Sequence, residues 1–66
     1  MEIEFTTLED RYLGRVKLVD GTLTGSSDFT KSIIEDWTST GGSADDFIDY
    51  FSGYANQAFQ AQVVTD

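Results

Sequence analysis

The sequence predicts an α+β domain in which a small three-stranded antiparallel β-meander precedes two antiparallel α-helices packed on one sheet face. Three observations carry this expectation. Residues 1–25 alternate polar and apolar side chains, with an Asp-Gly pair between two of the alternating runs. Residues 27–62 change to apolar positions three and four apart, the helical period. Serines stand at the start of each helical stretch, and Gly41-Gly42 separates the two. The 66 residues make one domain, 1–66, with no room for a second.

The strands come first. Glu2-Ile3-Glu4-Phe5-Thr6 alternates with period two, as a half-buried strand does. Tyr12 to Val19 alternates again, placing Val16 and Leu18 on one face and Arg15 and Lys17 on the other. Antiparallel pairing sets Glu2 and Glu4 near Arg15 and Lys17 on the solvent face, each pair contributing about 0.2–1 kcal/mol. Asp20-Gly21 tolerates the positive φ angles of a type I′ turn, so Thr22-Leu23-Thr24 returns as a third strand. Gly25-Ser26-Ser27 ends it, leaving a weak edge.

A first helix is expected over 27–40. Ser27 or Asp28 caps it, and Phe29, Ile33 and Trp37 recur at four-residue spacing. Gly41 supplies the left-handed position after its end. A second helix is expected over 43–62, with Ser43 as cap and Asp45 and Asp46 at the positive end of its dipole. Phe47, Tyr50, Phe51, Tyr54, Ala58 and Ala61 follow one face at about 100° per residue. Gly53 falls on the wet side of that helix. The alternative breaks the helix at Gly53 and makes residues 58–64 a fourth strand. Val63–Asp66 reads as frayed.

Composition limits the chemistry. With no cysteine and no histidine, a disulfide scaffold and an ordinary zinc site are excluded. Catalysis near neutral pH usually recruits one of those residues or a metal, so no catalytic residue and no cofactor are expected, and the chain reads as a non-enzyme. Asp45, Asp46 and Asp49 lack the alternation, central glycine and closing glutamate of a calcium loop, so no metal site is assigned. Gly25-Ser26-Ser27 has no Walker lysine and reads as turn and cap. No apolar run approaches a membrane span and the start lacks a signal-peptide pattern, so a cytoplasmic protein without a membrane partner is expected.

The charge is uneven. Residues 1–19 hold four acids against three bases, a net of −1, whereas residues 20–66 hold eight acids against Lys31, a net of −7. A segment of −7 repels phosphate backbones, which argues against direct nucleic-acid binding. Solubility alone accounts for charge of this size in a small domain. The sharper expectation is a surface that meets a basic protein. Nine aromatics in 66 residues are dense, and tyrosine and tryptophan are enriched at binding hot spots.

The functional expectation is therefore a small acidic protein-binding module, an inhibitor or adaptor acting on a basic partner, with nucleic-acid mimicry as one mode. Its acidic candidates are Glu35, Asp36, Asp45, Asp46 and Asp49; its aromatic candidates are Trp37, Tyr50 and Tyr54. In size and composition the chain resembles phage and mobile-element accessory proteins, a likeness that transfers no residues. The alternative is an assembly protein that homo-oligomerises through the aromatic face of helix 2.

Overall fold

A computed structural model describes residues 1–64. Its elements run β1 (Glu2–Thr7), β2 (Tyr12–Val19), β3 (Thr22–Gly25), α1 (Asp28–Ser39), α2 (Ala44–Phe51) and β4 (Phe59–Val64). The α+β class holds. The sheet, however, has four antiparallel strands in the order β3-β2-β1-β4, one more than the sequence predicts.

The meander forms as the alternation requires. Asp20 and Gly21 both take positive φ, 52° and 76°, in the two-residue turn between β2 and β3. Ile3 faces Val16 across β1 and β2, and Glu4 faces Arg15. On the solvent face Arg15 reaches Glu2 at 3.8 Å and Glu4 at 3.5 Å, and Lys17 reaches Glu2 at 4.0 Å. The expected cross-strand charge pairs are thus present.

The first helix docks through its cap. The Ser27 hydroxyl accepts from the Thr30 N–H at 3.2 Å and donates to the Leu13 carbonyl at 2.6 Å. It ties the helix start to β2. Gly14 in β2 has φ +135°, and a Cβ there would collide with the Ser27 hydroxyl, so this close approach requires glycine. Gly41, at φ +86°, follows the end of α1 as expected.

The second helix departs from expectation. It ends at Phe51 instead of continuing to residue 62, because Gly53 takes φ +70° and turns the chain. Gly53 is therefore a breaker, not a harmless wet-side residue. The Asn56 side-chain oxygen then accepts from the Ala58 and Phe59 N–H groups at 2.7 and 2.8 Å, closing a tight turn. Phe59–Val64 returns along β1 as the fourth strand, with Ala61 opposite Phe5 and Val63 opposite Ile3. Val63 and Val64 are paired strand rather than frayed, and the rest of the expected fraying, at 65–66, lies outside the described residues. Physically, β1 would otherwise be an edge with only one neighbour, and the added ladder makes it central.

Both helices pack on the face that carries Ile3, Phe5 and Val16, all fully buried. The Phe5 ring lies 5.3–6.3 Å from those of Phe29, Phe47, Phe51 and Phe59, so it joins α1, α2 and β4. Such aromatic pairs add about 0.5–1.5 kcal/mol beyond area burial.

Candidate functional site

The helical period places Ile33, Asp36, Trp37 and Thr40 on one side of the α1 end, at positions i, i+3, i+4 and i+7. The turn at Gly53 swings Tyr54 and Phe59 opposite them, and Tyr50 projects from the last turn of α2. The result is an open groove of about 350 Å³ walled by Trp37, Tyr50, Tyr54 and Phe59. Ile33 and Phe51 complete its apolar lining, while Asp36 and Thr40 supply the polar part.

The rings follow one another along the wall. Trp37 and Tyr50 are 5.1 Å apart by centroid, Tyr50 and Tyr54 5.6 Å, and Tyr54 and Phe59 5.6 Å. Tyr50 is 55% exposed, so much of its ring is open to an occupant of the groove.

Trp37 is held rigidly. Its indole Nε1 donates to the Ser43 carbonyl at 2.7 Å, and the Phe47 ring meets it edge-on at 5.8 Å and 90°. Gly42 packs against the indole so closely that a Cβ would overlap it. With its one donor used internally, Trp37 offers an aromatic surface rather than a hydrogen bond. The Tyr54 hydroxyl accepts from the Asn56 amide at 3.2 Å, which orients that ring too. Fixed rings lose little further freedom on binding.

The electrostatics are one-sided. Asp36 is exposed, and among the described residues its carboxylate has no hydrogen-bond or ion-pair partner. Among the described residues no base lines the groove. Arg15 and Lys17 are occupied on the outer sheet face, and Lys31 lies in a second, wider groove between β3 and α1.

Four of the eight sequence-predicted residues, Asp36, Trp37, Tyr50 and Tyr54, thus meet in one place. Glu35 does not join them, because it lines the groove between β3 and α1 with Asp28 and Lys31. Asp45 and Asp46 stand exposed in the first turn of α2, where the Asp46 N–H donates to the Ser43 hydroxyl at 3.2 Å. Asp49 is exposed beside Tyr50, and none of these three aspartates lines the aromatic groove. Ile33, Thr40, Phe51 and Phe59 complete the site. The α1 spacing from Asp36 and Trp37 could have indicated Ile33 and Thr40. Phe59 depended on the turn at Gly53.

Among the described residues no group of acids is arranged to hold a metal ion, and no described helix is long and apolar enough to cross a membrane. No family model matches the chain, and no curated protein or solved structure matches it. Function is therefore argued from the geometry of the groove.

Proposed function

We propose that the chain is a small acidic protein-binding module, an inhibitor or adaptor, that takes a basic segment of a partner protein in the Trp37–Tyr50–Tyr54 groove. The observation that carries this is the convergence of three aromatics, two of them oriented by hydrogen bonds, with one unpaired carboxylate in an open groove. Tyrosine and tryptophan in such a setting are the side chains whose removal most often costs binding energy. The remaining acids favour encounter with a basic partner by long-range attraction. Asp45, Asp46 and Asp49 act in this way, at a distance from the groove. Nucleic-acid mimicry is the weaker mode, since Glu2 and Glu4 are spent on Arg15 and Lys17.

Selection from a displayed random peptide library tests the proposal. The wild-type protein is expected to enrich basic peptides that bind Tyr50→Ala at least about tenfold more weakly, the size of a hot-spot loss. Enriched peptides that bind both proteins equally would place recognition elsewhere and refute it.

Self-association through helix 2 keeps one observation in its favour, the 55% exposure of Tyr50. The broad aromatic band imagined for a long helix is instead folded into the core and the groove. A dimer at high micromolar concentration in sedimentation, lost in Tyr50→Ala, would favour this second reading.

A further inference from the structure

Building on the proposed protein-binding role, we infer that the groove is an arginine site: a guanidinium stacks on the Trp37 and Tyr50 rings and donates to the Asp36 carboxylate.

The chemistry of the lining selects the occupant. Aromatic faces carry negative electrostatic potential and attract cations placed over them. Trp37, the strongest such platform among the side chains, is fixed here by Ser43 and Gly42 and lies 5.1 Å from Tyr50. Among the described residues Asp36 is the only ionised side chain in the lining. An anionic occupant would meet that carboxylate within a molecule of net charge −8. A neutral apolar side chain would cover the rings but leave the exposed Asp36 carboxylate to water, drawing nothing from it. Only a cation satisfies both the rings and the acid.

Between the two cationic side chains, arginine fits better. Its planar guanidinium is weakly hydrated, stacks on aromatic rings and presents several donors to a carboxylate at once. A lysine ammonium is compact and strongly hydrated, so it gives up more on entering an apolar groove. The wider groove beside β3 makes the contrast, because Lys31 already stands there with Asp28 and Glu35. A cation entering that groove competes with a resident one. In the aromatic groove it does not.

The protein carries its own reporter, since Trp37 is its single tryptophan. Nα-acetyl-arginine amide, the corresponding lysine amide and the neutral near-isostere Nα-acetyl-citrulline amide are titrated at matched ionic strength, following Trp37 fluorescence. Arginine is expected to bind several-fold more tightly than lysine and at least about tenfold more tightly than citrulline, as loss of a cation–π contact and a charged hydrogen bond implies. Asp36→Asn should weaken arginine about fivefold, whereas Asp45→Asn, which removes only screened long-range attraction, should weaken it less than about twofold. Asp36 is exposed and its carboxylate is unpaired, so the variant keeps the fold. Equal binding of citrulline and arginine overturns the inference. So does an effect of Asp45→Asn as large as that of Asp36→Asn, which would mark a diffuse acidic surface. Library peptides that need Tyr50 but lack arginine would remove the guanidinium while leaving the protein-binding role intact.

Discussion

Substituting Gly53 by alanine distinguishes the two backbones this sequence could adopt, and it does so by sign. In the fold described here Gly53 has φ +70° and open space around the site of a Cβ, so no collision contributes. The cost is conformational: a non-glycine residue in the left-handed region pays about 1–2 kcal/mol. Loss of glycine's freedom in the unfolded chain returns about 0.4–1 kcal/mol. The net is a destabilisation of about 0.8 kcal/mol, within a range of roughly 0–1.6 kcal/mol. In a continuous helix over 43–62, the same change would stabilise by about 1 kcal/mol. For a domain of this size 1 kcal/mol moves Tm by about 4–8 °C. Calorimetry should therefore show Gly53→Ala melting several degrees below wild type, with Gly53→Asn between them because asparagine tolerates positive φ. A variant that melts higher than wild type would refute both the α2 end at Phe51 and the groove built upon it.

Other perturbations follow from the same geometry. Gly42→Ala would drive a methyl into the Trp37 indole and break its bond to Ser43, costing about 2–4 kcal/mol and shifting Trp37 fluorescence. Gly41→Ala, with φ +86° but nothing near the added carbon, should cost no more than about 1–2 kcal/mol in urea unfolding followed by Trp37 fluorescence. Thr30→Val keeps the buried shape but leaves the Ser27 N–H, now bonded to the Thr30 hydroxyl at 3.0 Å, without a partner; the expected loss is about 1–3 kcal/mol, largely restored by Thr30→Ser. Glu4→Gln removes a partly exposed ion pair with Arg15 and should cost about 1 kcal/mol or less, an effect that weakens in 1 M salt.

What was legible in the sequence was local. Asp20-Gly21 specified its turn, Ser27 its cap and Gly41 the end of α1, because each acts through backbone geometry within a few residues. The fate of residues 52–64 was not local. Alanine and glutamine at 57–62 favour a helix by propensity, and the Phe47-to-Ala61 spacing fits one. The same segment also alternates from Phe59 to Val63, with Ala61 and Val63 facing the core partners Phe5 and Ile3. Pairing with a strand more than fifty residues away decided between the two periods, as tertiary context often overrides propensity. The site followed the same division. Helical spacing alone links Asp36 and Trp37 each to Ile33 and Thr40. Their meeting with Tyr54 and Phe59 required the Gly53 turn, and the acids of α2 stay outside because they lie on its exposed side, away from the buried Phe47 and Phe51.

Amide chemical-shift mapping tests the groove most directly. Isotope-labelled protein is titrated with an arginine-bearing peptide chosen by the wild-type chain, reading the backbone amides and the Trp37 indole N–H. The expected perturbations cluster at Asp36, Trp37, Tyr50, Tyr54 and Phe59 and spare Glu4 and Arg15 on the outer sheet face. Largest shifts at Asp45, Asp46 and Asp49, with the Trp37 indole unmoved, would contradict recognition through the groove.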